Sequence, residues 1–394
     1  MTNEDIIALN TRYLFPLYAR APIALVRGHG CRVWDADGKE YLDFFASTVV
    51  VALGHAHPSV TRAIVDQAHR ILHVSNLHHS EPQAVLAELL CTHSFADRVF
   101  FCNSGAEANE AAIKLARKYG AEFGDGRFEI LTALGSFHGR SIATIAATGQ
   151  EKVRGGFQPL PDGFRYVPYD DIEALAQAVS PRTVAVMLEP LQAEGGIVAA
   201  HPEYLRNVRE LCDRHRLLLI LDEVQTGMGR LGTLFAYEQS GVTPDIMTLA
   251  KGLGSGVPIG AMVATEQVAR GFTTGAHGST FGGNALTCAV GVAVMRALTE
   301  EGVVENCRTQ GRYLRERLLD LRTRHERIRD VRGQGLLLGV ELDGPAAAVV
   351  DACRDAGLLI NCTADKVLRF APPLIVAQYE IDRALDIVDR ALRQ

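Results

Sequence analysis

Lys251 stands directly behind the apolar run Ile246-Met247-Thr248-Leu249-Ala250 and ahead of the turn Gly252-Leu253-Gly254-Ser255-Gly256. A lysine set behind apolar residues is poorly solvated, which favours its neutral amine. A neutral amine is a nucleophile that forms a Schiff base with an aldehyde. The glycines let backbone and a flat ligand approach closely. A surface lysine opening a flexible loop has the same local sequence, so the stretch needs partners elsewhere to carry chemistry. Candidates follow other apolar runs. Glu189 comes after Val184–Leu188, and Asp222 and Glu223 come after Leu217–Leu221. In open parallel sheets, ligands bind at the carboxyl ends of strands. Acids at two such ends and a lysine at a third converge on one crevice, although strand ends are often polar for solvation alone.

Two more stretches suit the same crevice. In Cys102-Asn103-Ser104-Gly105-Ala106-Glu107, Asn103 or Ser104 can cap a helix. Small residues at 104 to 106 leave the first N–H groups uncovered, and such helix starts bind phosphate. An ordinary capped helix reads alike. In Gly135-Ser136-Phe137-His138-Gly139-Arg140, Phe137 can stack on a flat ring, and Arg140 can hold a carboxylate by two hydrogen bonds. Taken singly they read as a core phenylalanine and a surface arginine. Together, a Schiff-base lysine, an acid, a phosphate cup and a stacking face are what pyridoxal phosphate requires.

The elements that must position these residues are those of an α/β protein. From about Pro58, helical patterns alternate with short apolar runs lacking polar alternation, as in a buried, mostly parallel sheet. This pattern predicts a large α/β domain over 58–285. Before it, short strand-like pieces separated by Gly28-His29-Gly30 and Asp35-Ala36-Asp37-Gly38 predict an antiparallel hairpin region within 1–57. After it, helical stretches and the strand-like Gly335–Leu342 and Val367–Phe370 predict a smaller α+β domain over 286–394, to which 1–57 is assigned.

Bulk properties narrow the classes. The 394 residues are 47% hydrophobic and 22% charged, with a formal net charge of -6. That composition suits a large globular core and argues against nucleic acid or an anionic membrane as main partner. The N-terminus lacks the features of a signal peptide, and no apolar stretch reaches the roughly 20 residues of a membrane span. The 8 cysteines show no Cys-x-x-Cys spacing, which points to reduced thiols in the cytoplasm and to no metal site.

Over nearly its whole length the chain resembles the class III (ω-) aminotransferases of fold type I, and within them the acetylornithine-type enzymes. The resemblance is carried by Gly54-His55-Ala56-His57-Pro58, Ser75-Asn76-Leu77, Asn103 to Glu110, Phe137-His138-Gly139-Arg140 and Glu189 to Gly196. It continues through Leu221 to Arg230, Leu249-Ala250-Lys251-Gly252, His277 to Asn284 and Leu368 to Leu374. It implies that Lys251 holds pyridoxal phosphate and shuttles the substrate proton, and that Asp222 pairs with the pyridine nitrogen. Gln225 then lies near the ring hydroxyl, and Val224 packs under the ring opposite Phe137. Ser104, Gly105 and Ala106 cup the phosphate, and His138 and Glu189 complete the cofactor's surroundings. Thr280 would serve the neighbouring subunit, so a homodimer with shared sites is implied.

For substrates, the resemblance assigns Arg369 to the α-carboxylate of glutamate or 2-oxoglutarate and Arg140 to the far carboxylate. Ser279, Tyr18 and Asn76 are candidates for the substrate tail. Glu194 neutralises Arg369 while an ω-amine without a neighbouring carboxylate is bound, because an unpaired arginine in a dry site is costly. The implied reaction is transfer of the ω-amine of N-acetylornithine, or a close N-acyl diamino acid, to 2-oxoglutarate, in arginine or lysine biosynthesis. Ornithine and 4-aminobutyrate are the alternative donors. The segment Ser47 to Val51, His78, and Ala285 after Asn284 depart from the family pattern on the substrate side. A nicotinamide dehydrogenase is disfavoured, since the glycine-rich stretches lack the dinucleotide spacing. The histidines His55, His57, His78 and His79 lack a metal-ligand spacing, and a non-enzymatic binding module leaves Lys251 and Asp222 without a purpose.

Overall fold

The structure, a computed structural model, describes residues 1–393. Among these residues the main sheet has seven strands. Their order is Arg98–Cys102, Gly260–Ala264, Ile246–Leu249, Leu218–Asp222, Thr183–Leu188, Glu129–Ala133 and Phe164–Val167. Gly260–Ala264 runs antiparallel to both its neighbours, and the other strands share one direction. The inner strands are buried on both faces, which is why their sequences are continuous apolar runs. Two strands escaped the sequence reading. Gly260–Ala264 is built largely of small residues, and Phe164–Val167 is a half-buried edge.

Register places the chemistry. Leu188 pairs with Leu221, and Asp222 pairs with Thr248. The residues that follow, Glu189, Asp222 itself and Lys251, therefore emerge side by side along one edge. The helix Gly105–Phe123 starts at the same edge, straight after Arg98–Cys102. It buries Ala108, Asn109, Ala111, Ala112 and Ile113 against the sheet.

Two smaller sheets flank this layer. One runs Leu25–His29, Arg32–Asp35 and Glu40–Asp43 antiparallel, as the turn signals predict, and adds Leu358–Leu359 parallel to Glu40–Asp43. A strand from the C-terminal region thus completes the N-terminal sheet. The other is antiparallel, in the order Ile328–Gln334, Leu337–Leu342, Val367–Phe370 and Asn361–Thr363. Ile328–Gln334 was not expected, because Arg329, Asp330 and Arg332 interrupt its apolar pattern. Helices Ala285–Glu300, Val303–Arg324 and Gln378–Ala391 pack with these sheets into a continuous core that includes Leu42, Met247, Leu298, Leu338 and Phe370. No helix of the described residues is long and apolar enough to cross a membrane.

The segment that departs from the family pattern is also conformationally unusual. Ala46, Ser47, Thr48 and Val49 all have positive φ, between 46° and 67°. Ser47 and Thr48 are left-handed helical. Such residues cost roughly 1–2 kcal/mol each, so surrounding contacts must hold them. Asp43 does so. Its Oδ1 accepts the backbone N–H groups of Phe45 (3.0 Å) and Ala46 (2.8 Å), and its Oδ2 lies 2.7 Å from His55 Nε2. The turn delivers Val50 to the cavity described next.

Candidate active site

A cavity of about 400 Å³ opens at the carboxyl edge of the main sheet. Lys251, Asp222, Glu189, Phe137, His138, Val224 and Gln225 line it together with Asn103, Ser104, Gly105, Ala106 and Arg140. Lys251 begins a single 3-10 turn with φ of 41°, an unfavourable value for a residue with a side chain. Burial lowers the Lys251 ammonium from 10.5 to about 8, with the Glu194 carboxylate opposing and the Arg369 guanidinium reinforcing the shift. The neutral fraction of an amine grows with pH and reaches half at its pKa. Acylation of Lys251 in the cofactor-free protein is therefore expected to rise with pH and be half-maximal near 8. A half-maximum near 10.5, followed by mass spectrometry with an amine-directed reagent, would contradict it.

Asp222 is held on both oxygens. Oδ2 accepts from Asn109 Nδ2 (2.7 Å) and lies 2.8 Å from His138 Nδ1, and Oδ1 accepts the Val224 N–H at 3.1 Å. Asn109 is fixed in turn, donating to the His138 carbonyl (2.8 Å) and accepting from Thr248 Oγ1 (2.7 Å). Glu223, the second acid after this strand, turns away. It accepts the N–H groups of Ala236 (2.6 Å) and Tyr237 (2.8 Å), and burial pushes it up to about 8. Glu189 accepts the Phe137 N–H at 3.1 Å. Burial, reinforced by the nearby Asp222 charge, raises its pKa well above the usual carboxylate range.

Ser104 is the cap of the helix Gly105–Phe123, accepting the Glu107 N–H at 3.2 Å. Asn103 instead donates from its backbone and its amide to Glu107 Oε2, at 2.8 and 2.9 Å. Gly105 is required by packing, since a Cβ there would lie 2.8 Å from Val224 Cγ1. The helix start and the residue that follows Asp222 and Glu223 therefore meet with no room between them. Phe137 and Val224 both face the cavity.

Arg369 is almost wholly buried, and its Nη1 donates to Glu194 Oε1 at 2.7 Å. Gln225 Nε2 donates to the same oxygen at 3.2 Å. Burial works to raise the Glu194 pKa, but the Arg369 charge and hydrogen bond outweigh it and hold the carboxyl below its ordinary value. Arg140 is exposed at the rim, its guanidinium 5.5 Å from the Phe137 ring centre. The remaining candidates do not line this cavity in the single chain, although Ser279 Oγ accepts from the Asn103 amide at 3.3 Å. Asn76, Ser279 and Thr280 border a separate surface depression. The Asn76 amide is engaged there, donating to the carbonyls of Ser279 (3.0 Å) and Gly282 (2.9 Å). Tyr18 is exposed beside Arg20.

The sequence pattern that defines the class-III aminotransferases matches residues 16–392. The chain belongs to this family. It is 52% identical over 390 residues to the acetylornithine aminotransferase of Caldanaerobacter subterraneus, an alignment covering 98% of this chain and 99% of that protein. Among solved structures, it is similar to a Toxoplasma gondii ornithine aminotransferase reported with pyridoxal phosphate at its active site. The TM-score is 0.97 at 34% identity, covering 100% of this chain and 94% of that one. It is also similar to the N-acetylornithine aminotransferase of Stenotrophomonas maltophilia, with a TM-score of 0.85 at 40% identity and 98% of each chain covered.

As a class-III aminotransferase the protein is an enzyme that uses pyridoxal phosphate and acts on small molecules. Its cavity fits that cofactor. Gln225 Oε1 and His138 Nε2 are buried without partners, and both residues line the cavity. Buried polar atoms left unpaired are rare without a ligand or water to meet them. Asn109 and Thr248 are buried residues behind Asp222 to which the sequence reading assigned no part. An available signal was Asn109 itself, a polar residue on the buried face of an alanine-rich helix.

Proposed function

We propose that this aminotransferase transfers the ω-amino group of N-acetylornithine to 2-oxoglutarate, giving the semialdehyde and glutamate in arginine biosynthesis. The observation that carries this reading is the ion pair between the buried Arg369 and the half-buried Glu194, 2.7 Å apart. An ω-amine enters without a carboxylate beside the reacting carbon, and 2-oxoglutarate enters with one. While the amine donor is bound, Glu194 satisfies Arg369. When 2-oxoglutarate arrives, its carboxylate replaces Glu194 on the guanidinium. Arg140 takes the carboxylate at the far end of either substrate.

Pyridoxal phosphate supplies an aldehyde that accepts the amino group and a ring that accepts electrons. Lys251, whose ammonium burial disfavours, would take the proton from the substrate carbon and return it. Asp222, oriented by Asn109, His138 and the Val224 N–H, would meet the pyridine nitrogen of the bound cofactor. Ser104, Gly105 and Ala106 would offer N–H groups to its phosphate at a helix start. Phe137 and Val224 would hold the ring between them, and Gln225 and Glu189 would border it.

We assign 58–285 to a large cofactor-binding domain and 1–57 with 286–394 to a smaller one. The enzyme acts in the cytoplasm as a homodimer, in which Thr280 serves the other copy's phosphate site and Ser279, Asn76 and Tyr18 approach its substrate. The exposure of Phe15, Leu17, Tyr18, Leu77 and Phe281 in one chain supports this assembly. The test is a panel of amine donors with 2-oxoglutarate as acceptor. N-acetylornithine is expected to give the highest kcat/KM. A higher value for ornithine or 4-aminobutyrate would overturn the substrate assignment and leave the aminotransferase chemistry intact.

A further inference from the structure

We infer that Asn361 is the positioning residue for Arg369, holding the guanidinium by a neutral acceptor so that its charge stays free for an incoming carboxylate. This rests on the reading that Arg369 binds the α-carboxylate and that Glu194 moves aside for it. Asn361 and Arg369 face each other directly across the antiparallel pair of strands Asn361–Thr363 and Val367–Phe370. Asn361 Oδ1 accepts from Arg369 Nε at 2.9 Å. The two sides of the guanidinium therefore have different partners, a neutral amide on Nε and the Glu194 carboxylate on Nη1.

The difference in charge matters. An arginine that must release one carboxylate and take another needs a second anchor that survives the exchange. A carboxylate there would neutralise the guanidinium permanently, and the substrate would gain little Coulomb energy on binding. An amide orients the planar fork without that cost. The same strand also fixes the other half of the device, because Thr363 Oγ1 donates to the Glu194 carbonyl. With the guanidinium pinned by Asn361 and the Glu194 backbone pinned by Thr363, the Glu194 side chain is the part left to move.

Asn361→Asp is the discriminating variant. It keeps the shape and the acceptor and gives up only the long Nδ2 contact to the Cys362 carbonyl (3.3 Å), which Asn361→Leu also gives up, so a merely structural role would affect both variants alike. Glutarate, a dicarboxylate with neither amino nor keto group, is titrated into the holoenzyme by calorimetry. Asn361→Asp is expected to weaken glutarate at least about tenfold and to raise KM for 2-oxoglutarate by a larger factor than KM for the amine donor. Asn361→Leu, which lacks the acceptor, is expected to weaken glutarate about tenfold, the scale of one hydrogen bond. Arg369→Leu reports on the underlying reading, and glutarate binding should be lost. If Arg369→Leu binds glutarate like wild type, the carboxylate reading itself fails. If Arg369→Leu loses binding but Asn361→Asp matches wild type, the inference about Asn361 alone is overturned.

Discussion

Replacing Lys251 with alanine is expected to lower transamination by about 10⁴-fold or more, the upper range for removal of a positioned proton-transfer group. Two roles vanish together. On the proposed roles, the amine that would link to pyridoxal phosphate is gone, and so is the group that would move the substrate proton. Among the described residues no other lysine lines the cavity, so none is placed to substitute. The purified variant should also lack the yellow colour of the lysine-linked cofactor. Borohydride reduction should attach a pyridoxyl group to Lys251 in the wild type and to nothing in the variant. A small primary amine added to the assay should restore part of the proton transfer but not the covalent attachment. A variant that kept activity within a hundredfold of wild type, or was labelled elsewhere with equal yield, would remove Lys251 from the mechanism.

Lys251 also shows how far sequence reasoning carries. Its immediate neighbours left two readings open, because burial is a property of the fold and not of the apolar run behind it. The pairing of Leu188 with Leu221 and of Asp222 with Thr248 brings three strand ends to one edge. That convergence was legible because fully buried parallel strands have a distinctive apolar signature and their carboxyl ends a predictable use. What stayed hidden is mostly cross-chain. Asn361 comes to Arg369 through antiparallel register, and nothing in the sequence between them announces it. Glu223 stands next to Asp222 in the same motif, but successive residues at a strand end point to opposite sides. It went to cap backbone N–H groups at 236–237. The left-handed turn at 46–49 contains no glycine, so the usual sign of positive φ is missing; Asp43, backed by His55, and the backbone bonds from Val49, Val50 and Val51 to the Phe45 and Ala46 carbonyls hold it. Thr280, Ser279, Asn76 and Tyr18 lie outside the cavity of one chain, where sequence order cannot say which copy they serve.

The charge on Asp222 should matter nearly as much as the lysine. An ion pair at about 4 Å with an effective dielectric of about 20 is worth roughly 4 kcal/mol. If that energy is expressed in the transition state, Asp222→Asn should slow the reaction on the order of 10³-fold. The surroundings make asparagine a poor replacement for a further reason. Oδ2 receives the Asn109 amide and faces His138, while Oδ1 receives the Val224 N–H. Two acceptors are needed, and an asparagine has one. Whichever way its amide turns, an N–H meets an N–H, and an unpaired buried donor adds about 1–3 kcal/mol. The loss should therefore appear in cofactor affinity as well as in rate, measured by equilibrium dialysis of pyridoxal phosphate against the apoprotein. Asn109→Ala, which keeps the charge and removes one donor, separates the contributions. It should cost far less in rate than Asp222→Asn, because the carboxylate remains charged and keeps His138 and the Val224 N–H. If Asp222→Asn retained more than a tenth of wild-type kcat, or if Asn109→Ala were equally damaging, the decisive quantity would be geometry at this strand end and not the negative charge.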